Sequence, residues 1–160
     1  METPMSSILE PGDAAPPFTI ETADGPASLS DYAGKTLVLY FYPKDDTPGC
    51  TTEANDFSAL AGQFEEAGAA ILGVSRDTVE KHRKFAEKHQ LSIRLGADVD
   101  GVVCEAFGVW VEKKNYGKTY MGIERSTFLI DPAGKIAQAW RKVRVKDHAQ
   151  KVLEAVRALG

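Results

Sequence analysis

Cysteine is scarce in this chain, at two residues in 160. That is too few for a disulfide scaffold and points to a reducing compartment. No apolar run approaches the length of a membrane span, and residues 1–10 lack the basic start and apolar core of a signal peptide. A cytoplasmic protein without membrane contact is expected. Positive charge is not in excess: a net charge of −4 argues against a general affinity for nucleic acid or acidic membranes. The sequence has no internal repeat, no low-complexity tract and no glycine-rich phosphate loop. Its three histidines are not accompanied by cysteines or carboxylates in metal-ligand spacing. His82, His89 and His148 therefore read as solvated, and neither a metal nor another cofactor is expected. The basic and aromatic run Trp140–Lys146 fits an exposed strand with Val143 and Val145 inward better than a nucleic-acid patch.

What is present suits one domain. A chain of 160 residues buries about two-thirds of its unfolded surface in a single core. Residues 1–10 read as a flexible tail and 11–160 as the domain. Phe18–Ile20 and Ala27–Leu29 flank an Asp24-Gly25 turn and predict a hairpin, with Ser30-Asp31 capping one helical turn before Gly34. Thr36–Phe41 and Ala69–Ser75 read as buried strands. Asp77 or Thr78 opens a charged helix to about His89 with Val79 and Phe85 inward, and Ile93–Leu95 suggests a further strand. Asp98 or Asp100 caps a short helix ending near Gly108. Ser126–Ile130 and Lys135–Trp140 alternate as strands around an Asp131-Pro132-Ala133-Gly134 turn. Val152, Leu153, Val156 and Leu159 mark a C-terminal amphipathic helix. A βαβ passage followed by a hairpin and a helix is the order of an α/β, thioredoxin-like fold, a central mixed sheet flanked by helices.

The stretch Tyr40-Phe-Tyr-Pro-Lys-Asp-Asp-Thr-Pro-Gly-Cys-Thr-Thr-Glu53 carries the chemistry. Pro43 and Lys44-Asp45-Asp46 stop the strand. Thr47 followed by Pro48 reads as an N-cap with proline at the first helical position, which makes Cys50 the third helical residue. The Thr47 hydroxyl is expected to accept from the Cys50 backbone N–H. Unpaired N–H groups and the positive end of the helix dipole favour negative charge in this first turn, and so favour a thiolate. Gly49 leaves the backbone beside the sulfur open to a small substrate. Ala54, Phe57, Leu60, Ala61 and Phe64 supply the apolar stripe. A cysteine at a helix start is otherwise a small, inert, buried residue.

The spacing Pro43-x-x-x-Thr47-x-x-Cys50 after an apolar strand resembles the peroxidatic motif of peroxiredoxins. The longer run is similar to their PrxQ branch, the bacterioferritin comigratory proteins. Further matches lie at Gly12–Phe18, Asp98–Val109 and Tyr116–Asp131, so that the resemblance spans nearly the whole chain. It implies the same thioredoxin-like fold and a thiol-dependent peroxidase, acting on hydrogen peroxide and organic hydroperoxides, in which Cys50 attacks the distal peroxide oxygen and becomes a sulfenic acid. Thr47 is then expected to hold the peroxide. Arg125, in Arg-x-x-Phe-x-Ile-Asp, is expected to hold sulfur and peroxide together and to offset Asp45, Asp46 and Glu53. Pro43 shapes the loop. Glu53 is either a partner of Arg125 or part of a solvated helix face.

Many members of that branch carry a resolving cysteine five residues after the peroxidatic one, others on the following helix. Those places hold Asn55 and Ala86 here. Cys104 is the remaining candidate. If Asp100–Phe107 is helical, Val102, Val103, Ala106 and Phe107 define its buried face, and Cys104 lies about 130° from the centre of that face by the ~100° helical step, partly exposed. A one-cysteine cycle, with thioredoxin, glutaredoxin or a low-molecular-weight thiol as external reductant, is the expected course, in a monomer. A peroxide sensor that passes its oxidation to a partner is the alternative. A general thiol-disulfide oxidoreductase is disfavoured because Thr47, not a second cysteine, stands three residues before Cys50. A structural role indifferent to Cys50 is a further rival. Trp110 and the Lys113-Lys114 loop near Tyr116 stay open between a peroxide-access rim and a reductase-docking surface.

Overall fold

All six residues of Thr36–Phe41 are buried, as expected of an apolar run without polar alternation, and this strand carries helices on both sides. The computed structural model describes residues 9–159. Its strands are β1 Thr19–Thr22, β2 Gly25–Ser28, β3 Thr36–Phe41, β4 Ala69–Ser75, β5 Arg94–Ala97, β6 Trp110–Asn115, β7 Lys118–Ile123, β8 Ser126–Ile130 and β9 Ile136–Trp140. Its α-helices are α1 Pro48–Glu66, α2 Val79–His89, α3 Val102–Ala106 and α4 His148–Leu159. Seven strands form one sheet in the order β2-β1-β5-β4-β3-β8-β9. The β3–β4 and β4–β5 pairs are parallel, and the others are antiparallel. The sheet is therefore mixed.

The two-residue period of β3 divides the core. Leu37, Leu39 and Phe41 enter one cluster with Val103, Cys104, Phe107 and Phe128. Val38, Tyr40 and Tyr42 enter the other with Cys50, Phe57, Phe64, Phe85, Val152 and Val156. Helices α1, α2 and α4 thus cover one face, and α3 the other. Tyr40 stacks on Phe57 with ring centroids 4.7 Å apart. Gly73, opposite it on β4, leaves room for that ring, since a Cβ there would lie 2.7 Å from Tyr40 Cζ.

Several elements differ from the sequence reading. The expected tail falls mostly on residues 1–8, outside the described residues, while Leu9 packs against the first cluster. The helical turn after β2 is a 3-10 turn, Leu29–Tyr32, whose N-cap is Ser28 rather than Ser30-Asp31. The Asp31 carboxylate accepts from the Ser28 N–H at 2.8 Å. The exposed strand expected to run on to Lys146 stops at Trp140, because Lys142 takes a left-handed φ of 49°. Leu159 is exposed at the end of α4.

The β6–β7 hairpin, a separate two-stranded sheet, was not anticipated. Tyr116 and Gly117 form its turn, both at positive φ, 52° and 78°. Such turns are signalled by Asn-Gly or Asp-Gly, and tyrosine in the first place conceals the hairpin.

Candidate active site

The end of β3 delivers the chain into a turn at Pro43–Asp46. Pro43 is exposed, and Asp46 adopts φ 64°, a left-handed conformation that aspartate tolerates. Thr47 follows in extended backbone as the N-cap of α1, with Pro48 at the first helical position. The Thr47 carbonyl accepts from the Thr51 N–H at 2.8 Å. Cys50 is the third helical residue and is 2% exposed.

The Thr47 hydroxyl does not cap the helix as expected. It donates to the Lys44 carbonyl at 2.9 Å, and no side chain caps the first turn of α1. The turn brings the Lys44 carbonyl back over Thr47, and the hydroxyl turned to donate to it makes no bond to the first-turn N–H groups. The oxygen keeps its acceptor lone pairs.

Arg125 lies between β7 and β8, far from Cys50 in sequence. Its guanidinium meets the start of α1: Nη2 donates to the Cys50 sulfur at 3.4 Å, and Nη1 to Glu53 Oε1 at 2.6 Å. Of the two readings of Glu53, the partner of Arg125 holds, and the solvated face is overturned by its 1% exposure. Burial pushes the Glu53 carboxyl up to about 7, against the pull of Arg125. Burial works against the Arg125 charge, yet Glu53 and Cys50 beside it hold the guanidinium above its ordinary value. Gly49 leaves space that the arginine occupies, not open space: a Cβ there would lie 3.1 Å from Arg125 Nη2. Glu53 Oε2 and the Tyr40 hydroxyl are buried without a hydrogen-bond partner.

The other carboxylates near Cys50 are turned away from it. Asp46 accepts from Lys88 Nζ at 2.8 Å and pairs with His89 Nε2 at 2.9 Å. Hydrogen bonds from His89 and Lys88 lower its acidity range. Asp45 pairs with His82 Nδ1 at 2.6 Å and accepts from the Tyr42 hydroxyl at 2.5 Å. His82 is 1% exposed and His148 4%, so the reading of these two as solvated was wrong. His148 Nε2 meets the Thr127 hydroxyl at 2.8 Å, and burial lowers its pKa to about 4. Val79, His82 and Phe85 recur at three-residue steps, a helical spacing that could have placed His82 inward. The acceptors that allow its burial come from other elements.

Cys104 is also fully buried, not partly exposed. Both Asp98 oxygens are engaged at the start of α3, accepting from the Val103 and Cys104 N–H groups at 3.1 and 2.8 Å. This turns Val103, Cys104 and Phe107 inward and leaves Val102 at 63% exposure. Burial, with Asp98 beside it, raises the Cys104 thiol far above the ordinary range. Cys104 and Cys50 are both free thiols, in clusters on opposite faces of the sheet. The structure brings Thr47, Gly49, Cys50, Glu53 and Arg125 together and leaves Cys104 apart. Among the described residues, no group of three or more His, Cys, Asp or Glu could hold a metal ion, and no helix is long and apolar enough to cross a membrane.

Residues 11–139 match the model of the AhpC/TSA family. The chain is 53% identical over 153 residues to Peroxiredoxin Bcp of Bacillus subtilis (strain 168), covering 95% of this chain and 98% of that one. A structure of Xanthomonas campestris Peroxiredoxin Q superposes with a TM-score of 0.87 at 47% identity, over 97% of this chain and 99% of the other. A structure of the Xanthomonas campestris Bacterioferritin Comigratory Protein, from work on the alkyl peroxide reduction activity of that protein, gives a TM-score of 0.86 at 47% identity over 97% and 99%. These neighbours have the thioredoxin-like mixed sheet described above.

Proposed function

The chain belongs to the AhpC/TSA family, in its peroxiredoxin Bcp branch, and from that premise we propose that this thiol-dependent peroxidase works through Cys50. The observation that carries the reading is the Arg125 guanidinium set between the Cys50 sulfur and the buried Glu53. Positive charge at a helix start and a fixed donor fork stabilise negative charge carried by sulfur in the reaction. The thiolate attacks one oxygen of a hydroperoxide. An S–O bond forms as the O–O bond breaks, sulfur gives up two electrons, and the departing alkoxide or hydroxide takes a proton from solvent. Cys50 sulfenic acid and an alcohol or water result. Arg125 holds charge as it passes from sulfur to oxygen, and the Thr47 hydroxyl, with lone pairs to spare, orients the peroxide. The alkyl peroxide reduction named for the Xanthomonas relative supports organic hydroperoxides beside hydrogen peroxide as substrates.

Regeneration uses an external thiol. Asn55 and Ala86 cannot resolve a sulfenic acid, and the sheet separates Cys104 from Cys50. A reductant thiol condenses with the sulfenic acid to a mixed disulfide and water, and a second thiol releases Cys50. Thioredoxin, glutaredoxin or a small thiol fills this role, in a cytoplasmic monomer whose residues 11–160 form one domain.

Intact mass and non-reducing gel mobility after one equivalent of peroxide test the cycle. A gain of one oxygen on Cys50 is expected. An internal Cys50–Cys104 disulfide would sink the one-cysteine cycle. A sensor shares the lack of an internal resolver, but steady turnover of many peroxide equivalents with added thiol excludes it.

A further inference from the structure

Asp45, His82 and Tyr42 form a buried polar cluster that the chemistry above does not use. They are 9%, 1% and 1% exposed. Asp45 Oδ1 accepts from the Tyr42 hydroxyl at 2.5 Å, and Asp45 Oδ2 meets His82 Nδ1 at 2.6 Å. The other ring nitrogen, His82 Nε2, lies 2.9 Å from the Gly96 carbonyl of β5. A carbonyl only accepts, so Nε2 carries a hydrogen. A bare Nδ1 would then set its lone pair against a carboxylate oxygen, and the contact requires one proton held between His82 and Asp45.

The cluster bears on the turn before Cys50. That turn is otherwise weakly held: Pro43, Lys44 and Asp46 are exposed, and Asp46 is in a left-handed conformation. Its polar groups are gripped by α2 and the segment leading into it. Asp45 is held by His82, the Asp45 N–H donates to Asp77 Oδ2 at 2.8 Å, and Asp46 is held by Lys88 and His89. The Lys44 carbonyl in this turn takes the Thr47 hydroxyl, and α1 begins one residue later.

We propose that His82 is a positioning residue for peroxide reduction: through Asp45 it fixes the Lys44–Asp46 turn, and so the place of the Thr47 hydroxyl against Cys50. The inference rests on the reading of Cys50 and Thr47 given above. It separates two quantities. The charge on Cys50 depends on α1 and Arg125, to which, among the described residues, the cluster makes no hydrogen bond or ion pair. The alignment of a peroxide depends on Thr47, and a displacement of about 1 Å in such a group costs up to about a hundredfold in rate.

The test compares two reactions of Cys50 in the full chain, oxidation by hydrogen peroxide and alkylation by iodoacetamide. His82→Gln and Asp45→Asn are each expected to slow oxidation about tenfold or more, with alkylation within about twofold of the unaltered protein. Residues acting through one contact are not additive, so the double variant should be no slower than the slower single. The proposal is overturned if oxidation is unchanged, if oxidation and alkylation fall together, or if the double variant shows the product of the single losses. Should His82→Gln not fold, Tyr42→Phe, which deletes only the hydroxyl on Asp45, carries the test by the same ratio of rates. Cys50→Ser separates the two layers: peroxide reduction surviving in that variant would refute the site itself, whatever the His82 variants do.

Discussion

One guanidinium joins Cys50 to Glu53: Arg125 Nη2 donates to the sulfur at 3.4 Å while Nη1 donates to the carboxylate at 2.6 Å. The pairing makes the arginine's aim depend on a buried acid one turn along the same helix.

Arg125→Lys should lower the second-order rate constant for hydrogen peroxide about a hundredfold, nearly as far as Arg125→Ala. A lysine supplies one point charge and cannot serve sulfur, peroxide and Glu53 at once, and loss of a charge-stabilising donor costs about 10²–10³ in rate. Stopped-flow oxidation of Cys50 measures it. A lysine variant within threefold of the unaltered protein would mean that charge alone is required.

Gly49→Ala separates stability from activity. Alanine is the better helix residue by up to about 1 kcal/mol, but its methyl would meet Arg125 Nη2 at 3.1 Å. The variant should melt no lower than the parent and reduce peroxide about tenfold more slowly, the scale of a misplaced group. Unchanged activity would show that the guanidinium yields at no cost.

Cys50→Ser should abolish turnover, whereas Cys104→Ser should retain it. The second change places a hydroxyl in a fully buried site where Asp98 can accept from it, so the loss of stability should be no more than about 1 kcal/mol. Thermal melting and a peroxide assay with added thiol report the two effects. Turnover lost equally in both variants would overturn the one-cysteine cycle.

Glu53 and His148 give opposing pH dependences of stability. Glu53 holds its proton in the folded state up to about 7, against 4.5 ordinarily. Between those values the folded chain binds more protons, and this group's contribution is lost as pH rises. Burial lowers His148 from 6.5 to about 4. In that window the unfolded chain binds the extra proton, and stability is lost as pH falls. Over roughly pH 4.5–6.5 the two trends oppose each other. Denaturant unfolding should therefore show Glu53→Gln gaining stability with rising pH and His148→Gln losing it. Parallel curves for both variants and the parent would refute these assignments.

The candidate site was legible where its information is local. Thr47-Pro48 after an apolar strand is enough to place Cys50 in the first turn of a helix, since capping and proline geometry operate within a few residues. Arg125 could be tied to Cys50 only by family resemblance. The Thr47 hydroxyl was misdirected because its acceptor, the Lys44 carbonyl, depends on how the intervening turn folds. His82 looked solvated because its partners, Asp45 and the Gly96 carbonyl, arrive from other elements.

By itself, then, the sequence determined the strand, the turn and the helix start that carry Cys50, along with the order of elements around them. Those follow from side-chain periodicity, fixed φ at proline and hydrogen bonds between near neighbours. Tertiary structure decided which charges meet the sulfur, which carboxylates are drawn off it by α2, and that Cys104 lies beyond the sheet. A buried polar group is allowed only where distant segments bring its partner, and strand order, not sequence spacing, sets which segments those are.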